Sequence, residues 1–272
     1  MNSFDQRPIG VFDSGLGGLT AVKELINILP NETIVYFGDT GRVPYGTRSN
    51  STIIKYVRQD IRFLLTHDVK AIVAACGTAS SVALPHLYQE FNIPLIGVLE
   101  PVCQAATIAT KNHKIGILGT PGTIRSGSYK KGIQQINPDF TVIEQACPMF
   151  VPLVENGYID SEATYIIARE YLEPLISENV DTIILGCTHY PLLTKVITDI
   201  VGKDVSIINA GFETANYTKQ MLADSKLLSN RLAPGTCQYY VSDDVEKFSY
   251  LGGMFLEQKI PSDVTKIDIE KF

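Results

Sequence analysis

The amino-acid sequence predicts an α/β fold with two similar doubly wound parallel-sheet domains. Short runs that are apolar throughout alternate with segments whose apolar residues recur every three or four positions. This alternation is typical of buried parallel strands joined by helices. Two pairs of segments also resemble each other at similar offsets along the chain. The 272 residues, 45% of them hydrophobic, suffice for two domains with ordinary cores.

The predicted elements follow in chain order. Eight apolar runs predict strands, at residues 9–12, 33–37, 71–75, 94–98, 114–119, 182–186, 205–209 and 238–242. Helical spacing of apolar residues marks the segments 19–29, 51–65 and 161–178 between them. Near the end of the chain, Asp243 and Glu246 have the spacing of a capping box, which predicts a further amphipathic helix.

Two internal similarities suggest that one α/β unit occurs twice. Residues 69–76 (VKAIVAAC) and 180–187 (VDTIILGC) share Val, Ile and Cys at matching places, 111 positions apart. Residues 9–14 (IGVFDS) resemble residues 115–120 (IGILGT) at an offset of 106. Two copies related by a pseudo-twofold axis would share one cleft, because such sheets bind ligands beyond the carboxyl ends of their strands.

The repeat also suggests domain limits. Residues 1–98 together with 210–272 are predicted to form the first domain, and residues 99–209 the second. One strand and one helix after residue 210 return to a sheet, and we assign them to the first. The active site is expected in the cleft between the two domains.

Composition and charge narrow the classes of partner. The formal net charge is −6 and the 23 Lys and Arg residues are scattered, so no nucleic-acid partner is predicted. No apolar run approaches the length of a membrane span, and the start, MNSFDQRPIG, lacks the apolar region of a signal peptide. We therefore expect a cytoplasmic protein without a membrane partner.

The five cysteines are widely spaced and odd in number, which favours free thiols over a disulfide framework. Only Cys187 and His189 lie close enough to suggest metal ligands, and two further ligands would have to come from distant segments. No metal site is predicted. Three cysteines are expected to be structural: Cys103, Cys147 and Cys237.

The glycine-rich segment FDSGLGGLT (12–20) follows the first predicted strand, and Asp39 follows the second. A nicotinamide cofactor would use such a segment for its pyrophosphate and an acid near Asp39 for its ribose. The glycine spacing argues against this cofactor, since Thr20 stands where the third glycine belongs. Asp13 would also place a negative charge beside the pyrophosphate. Asp13 and Ser14 could equally form a turn or a helix cap.

Cys76 and Cys187 each end an apolar run and are followed by a hydroxyl residue, Thr78 or Thr188. A helix start after each thiol is expected to lower its pKa from about 8.5. One interpretation is a thiol hydrolase with His189 as base, but this leaves Cys187 unexplained. A racemase needs two acid/base groups on opposite faces of one carbon, and two equivalent thiols supply them. Candidate partners for proton movement are Asp13, Glu155 and His189.

Six motifs carry a family resemblance: DSGLGGLT, FGDTGRVPYG, ACGTAS, VPLVENG, LGCTHYPLL and YYVSDD, in this order. Over nearly its whole length the chain resembles the glutamate racemases of the cofactor-independent aspartate/glutamate racemase superfamily. The resemblance implies a catalytic cysteine pair, no pyridoxal phosphate and no metal. It also implies that D-glutamate is supplied for peptidoglycan synthesis and cell-wall formation. The implied partners are the small-molecule substrate glutamate and a second copy of the chain in a homodimer.

The resemblance also implies roles for individual residues. Cys76 and Cys187 would be the two bases, with Cys187 acting on the L-face and Cys76 on the D-face. Asp13 would support Cys76, while Glu155 and His189 would support Cys187. The implied substrate contacts are Asp13, Ser14, Tyr45, Gly46, Gly77, Thr78, Thr120, Thr188 and His189.

One departure from the family pattern lies beside a catalytic thiol. The family commonly carries Asn after the first cysteine, where this chain has Gly77, so one polar contact to the substrate is lost. Alternatives therefore remain open: a racemase of aspartate or another amino acid, or a two-lobed protein that binds an amino acid without reacting with it.

Overall fold

The computed structural model describes residues 4–258, 260 and 263–272, and its elements alternate between strand and helix as the sequence predicts. The strands are β1 (Ile9–Asp13), β2 (Ile34–Gly38), β3 (Ala71–Ala74), β4 (Leu95–Gly97), β5 (Lys114–Gly119), β6 (Thr141–Ala146), β7 (Thr182–Leu185), β8 (Ser206–Asn209), β9 (Cys237–Val241) and β10 (Val264–Lys266).

The helices lie between and after these strands. They are α1 (Leu19–Ile28), α2 (Asn50–Leu65), α3 (Gly77–Val82), α4 (Leu84–Leu87), α5 (Leu99–Ala109), α6 (Pro121–Ser126), α7 (Ser128–Ile136), α8 (Phe150–Glu155), α9 (Glu162–Ser177), α10 (Thr194–Val201), α11 (Ala210–Asp224) and α12 (Val245–Leu256). Three short 3₁₀ helices cover Tyr45–Thr47, Tyr190–Leu193 and Ile269–Lys271.

All strand pairings among the described residues are parallel, and they form two sheets. The first sheet has the order β10-β9-β2-β1-β3-β4, and the second has the order β6-β5-β7-β8. The four strands β2-β1-β3-β4 and the four strands β6-β5-β7-β8 thus follow the same order. The predicted fold class, two similar parallel-sheet α/β domains, is confirmed. We call the units around these sheets the first and the second domain.

The repeat seen in the sequence coincides with equivalent strands. β1 and β5 occupy matching positions in their sheets, and so do β3 and β7. The chain continues from β3 to Cys76 and from β7 to Cys187, each thiol two residues beyond the strand. The limits at residues 98/99 and 209/210 stay a prediction.

Burial explains why the central strands read as continuous apolar runs. Every residue of β1, β2, β3 and β7 is buried, because helices cover both faces of each sheet. Around the first sheet, α2 begins at the cap residue Ser49, whose hydroxyl accepts from the Thr52 N–H at 3.3 Å.

No helix within the described ranges is long and apolar enough to span a membrane.

The cap of α12 differs from the sequence prediction by one residue. Asp244, not Asp243, accepts a hydrogen bond from the Lys247 N–H, at 2.9 Å. Asp243 instead pairs with Lys266 of β10 at 2.6 Å. This ion pair links the start of α12 to the edge strand of the first sheet.

Candidate active site

The carboxyl ends of the two sheets open onto one cavity of about 430 Å³. Both thiols line it, as do nearly all residues predicted for the site: Ser14, Tyr45, Gly46, Cys76, Gly77, Thr78, Thr120, Glu155, Cys187, Thr188 and His189. Asp13 lies behind this lining at the end of β1 and is fully buried. Cys147, which we expected to be structural, also lines the cavity.

Cys76 forms the start of α3 and contacts the glycine-rich turn. Its sulfur accepts from the Ala79 N–H at 3.5 Å, as a helix cap does, and donates to the Ser14 hydroxyl at 3.5 Å. Burial, with the nearby Asp13 charge, raises the pKa of Cys76 to about 11. The expected lowering by the helix start is therefore wrong for this thiol. Six residues of helix and two weak hydrogen bonds do not offset the loss of water.

This raised pKa predicts how Cys76 reacts with iodoacetamide. Because only the thiolate attacks, alkylation in the absence of substrate should rise about tenfold per pH unit and continue rising above pH 9. An unperturbed thiol in a reference peptide should level off near its pKa of about 8.5. Mass spectrometry of the Cys76 peptide after timed alkylation measures this. A plateau for Cys76 below pH 9 would contradict the raised pKa.

Cys187, His189 and Glu155 form a hydrogen-bonded chain. His189 Nδ1 lies 3.9 Å from Cys187 Sγ, and its Nε2 lies 3.2 Å from Glu155 Oε1. The hydrogen bond from His189 lowers the pKa of Glu155, and Lys247 at 3.7 Å lowers it further. Since an ionised carboxylate only accepts, Nε2 of His189 donates to Glu155, and Nδ1 is the ring nitrogen that faces the thiol. Burial raises the pKa of Cys187 well above its ordinary value, so the thiol carries a proton until a base takes it.

Asp13 connects the two domains. Its carboxylate accepts from the Gly15 N–H at 3.0 Å and from the Thr188 hydroxyl, across the cleft, at 3.4 Å. Burial raises the pKa of Asp13, while the nearby His189 opposes this. The Ser14 hydroxyl, not the Asp13 carboxylate, bonds the Cys76 sulfur. The support of Cys76 by Asp13 stays a prediction.

Three threonine hydroxyls form a triangle between the two domains, and two of them, on Thr78 and Thr120, belong to residues that line the cavity. Thr78 of the first domain lies 3.0 Å from Thr120 and 3.3 Å from Thr123 of the second, and these two are 3.1 Å apart. Thr120 also caps α6 by accepting from the Thr123 N–H at 3.3 Å. Sequence reasoning missed Thr123. Its spacing from Thr120 offered a signal, because a residue three positions after a cap faces the cap side chain.

Tyr45 belongs to a buried charged cluster beside the cavity. Its hydroxyl lies within hydrogen-bonding distance of Asp60, at 2.8 Å, and of Asp39, and Arg42 bridges both carboxyl groups at 3.1 and 2.7 Å. Burial raises the pKa of Asp60 well above its ordinary value. Asp39, the residue considered for a cofactor ribose, is occupied in this cluster. The cluster holds the loop that contains Tyr45. The residue after Tyr45, Gly46, packs on Thr120.

Across residues 4–258, 260 and 263–272, no group of three or more His, Cys, Asp or Glu side chains could hold a metal ion.

Comparison with known proteins places this geometry in a family. The family model described as Asp/Glu/Hydantoin racemase matches residues 22–216. The chain belongs to this racemase family. Its relatives include the glutamate racemase of Geobacter metallireducens, 45% identical over 264 residues that cover 97% of each chain. The glutamate racemase of Neisseria meningitidis is 46% identical and covers 92% of this chain and 93% of its own.

Solved structures of racemases have the same fold. A glutamate racemase isoform from Bacillus anthracis has a TM-score of 0.93 and 38% identity, covering 97% of this chain and 98% of its own. The glutamate racemase of Francisella tularensis, solved in complex with D-glutamate, has a TM-score of 0.91 and 38% identity. That match covers 98% of this chain and 100% of the other. This racemase chain is therefore an isomerase by family.

Proposed function

We propose that the chain is a glutamate racemase, which interconverts L-glutamate and D-glutamate by proton transfer between two thiols. The observation that carries the proposal is the equivalent position of Cys76 and Cys187, each two residues beyond matching strands and each lining one cavity. The choice of glutamate is supported by the relatives, which are named glutamate racemases and match over nearly the whole chain.

In the proposed mechanism, conversion of L-glutamate starts at Cys187. Its S–H proton passes to His189 Nδ1, 3.9 Å away, and the ionised Glu155 stabilises the resulting imidazolium. The Cys187 thiolate then takes the α-proton, so the C–H bond breaks, an S–H bond forms and the electron pair stays on carbon. Cys76 donates its proton to the opposite face, which completes inversion and leaves a thiolate there. The reverse reaction exchanges the two roles.

The raised thiol pKa values suit this step. A thiolate in a dry site is a stronger base than one in water, and the α-proton of an amino acid is only weakly acidic. Both thiols are less than a tenth exposed, 6% for Cys76 and 9% for Cys187. The same burial would keep water from protonating the carbanion on the wrong face.

Hydroxyls and backbone N–H groups would bind the two substrate carboxylates. Ser14, Thr78, Thr120 and Thr188 line the cavity and carry hydroxyls, and Gly46 and Gly77 line it too. Thr123, in contact with Thr78 and Thr120, orients two of these hydroxyls.

The same proposal covers the location of the enzyme in the cell, its biological role, its oligomeric state and its domain limits. The enzyme would act in the cytoplasm and supply D-glutamate for peptidoglycan synthesis. Its subunits would form a homodimer, with residues 1–98 and 210–272 in one domain and 99–209 in the other. Sedimentation at micromolar concentration tests the dimer, and a monomer at all concentrations would contradict it.

The decisive experiment follows the α-hydrogen. The protein is incubated with L-glutamate in deuterated water, and chiral chromatography with mass detection follows both enantiomers; L-aspartate is run in parallel. Formation of deuterated D-glutamate is expected. Faster inversion of aspartate would favour the aspartate alternative. Absence of exchange would indicate a binding protein, and release of a cleaved product without inversion would indicate a thiol hydrolase.

A further prediction concerns cofactors. Because two thiols suffice for both proton transfers, racemisation should be unchanged after exhaustive dialysis against a chelator. The dialysed protein should show no absorbance from a pyridoxal Schiff base. Rates before and after dialysis, with zinc or pyridoxal phosphate added back, test this. A loss of activity that either addition restores would contradict the two-thiol mechanism.

A further inference from the structure

The two thiol-bearing segments contact each other directly through their backbones. Gly77 follows Cys76, and Gly186 precedes Cys187. A Cβ atom built on Gly77 would overlap the carbonyl oxygen of Gly186, and the Gly186 carbonyl carbon would lie 3.3 Å away. The α-carbon of Gly77 thus packs on the peptide group that leads into Cys187.

Neither side of this contact is free to shift alone. The Gly186 N–H donates to the Leu118 carbonyl of β5 at 2.8 Å, and the Ala75 N–H donates to the Phe12 carbonyl of β1 at 2.9 Å. These two hydrogen bonds are equivalent in the two domains, and each fixes a thiol-bearing segment to its own sheet. A side chain at position 77 would therefore move the sheet ends apart.

Backbone conformation does not explain the glycine. The φ angle of Gly77 lies outside the left-handed region, and the residue opens α3. An alanine would fit this backbone, so the close approach to Gly186 is the reason for a glycine here.

We propose that Gly77 is a positioning residue that sets the separation of Cys76 and Cys187. This inference rests on the proposed two-thiol racemisation. Ordinary van der Waals contact between a Cβ atom at position 77 and the Gly186 oxygen would require a separation greater by about 1 Å. In a reaction that needs both thiols on one α-carbon, a misplacement of about 1 Å lowers the rate about 100-fold. The Asn common in the family at this position would need more room than alanine.

The test uses Gly77→Ala and separates inversion from exchange. One thiolate removes the α-proton and becomes S–H, which exchanges with solvent deuterium. The carbanion then takes a deuteron from the same thiol, giving deuterated starting enantiomer, or from the opposite thiol, giving product. A wider separation of the two thiols slows delivery of a deuteron from the opposite thiol more than its return from the same thiol. We expect inversion of L-glutamate to fall about 100-fold, and deuterium in recovered L-glutamate to rise relative to that in D-glutamate.

This ratio does not depend on how much of the variant folds, because inactive molecules lower both signals equally. Gly253→Ala, whose new Cβ would make an ordinary contact of 3.4 Å with the Gln258 oxygen and none closer to the described residues beyond its own helix, is the matched control and should keep the wild-type ratio. An unchanged ratio in Gly77→Ala would overturn the inference. So would a Gly77→Asn variant that racemises faster than wild type, since position 77 would then act through a substrate contact. Failure of wild type to exchange would instead refute the proposed function.

Discussion

Replacing Cys187 with alanine is expected to abolish racemisation, with a loss of at least about 10³-fold. A single positioned proton-transfer group contributes about 10²–10⁴-fold, and in the proposed mechanism Cys187 is the group that serves its face of the α-carbon. His189 is not expected to substitute, because its Nε2 is engaged by Glu155 and its Nδ1 faces the position of the Cys187 sulfur, 3.9 Å away. Cys76→Ala should have the same effect. The measurement is the initial rate of D-glutamate formation, with circular dichroism to verify folding.

The matched control is Cys237→Ala. Cys237 is a free, half-buried thiol on β9, in the strand next to β2 and away from the cavity lining. Its loss should leave the rate near that of wild type. Racemisation by folded Cys187→Ala at a near wild-type rate would refute the two-base mechanism, whatever the control shows.

The fold was predictable where burial determines composition. Strands covered on both faces must be apolar throughout, and β1, β2, β3 and β7 were all found for that reason. β6, one of the two edge strands of the second sheet, was missed because of its composition. Its sequence, TVIEQA, is only half-buried and mixes polar with apolar residues, so it has no continuous run.

The location of the site was predictable, because the carboxyl ends of parallel strands lie at the same edge of a sheet. The adjacency of Cys187 and His189 follows from their spacing of two residues. The pairing of His189 with Glu155 spans 34 residues of sequence and depends on how α8 packs, which no local pattern encodes. The direction of the thiol pKa was missed for a related reason. A helix start is visible in sequence, but the burial that outweighs it is a property of the assembled cleft.

His189→Asn is expected to slow α-hydrogen exchange from L-glutamate more than from D-glutamate, by about 10²-fold. His189 lies 3.9 Å from Cys187 Sγ, and Cys187 must lose its proton when the L-enantiomer reacts. With D-glutamate, Cys187 starts protonated and only donates, so the imidazole is less needed. The substitution cannot change the equilibrium between L-glutamate and D-glutamate, because a catalyst lowers the same barrier for the forward and the reverse reaction. Exchange must therefore be measured in deuterated water before product accumulates.

Asp13→Asn is expected to show the opposite asymmetry, with exchange from D-glutamate slowed more. The amide oxygen can still accept from the Gly15 N–H, and the amide NH2 can donate to the Thr188 hydroxyl oxygen, so the packing between the domains is retained while the charge is lost. The amide can no longer accept the Cys76 proton, which is the role proposed for Asp13, while the contacts of the sulfur with the Ala79 N–H and the Ser14 hydroxyl remain. The two variants thus serve as controls for each other. Equal slowing from both enantiomers in both variants would mean that Asp13 and His189 position the substrate and do not serve individual thiols.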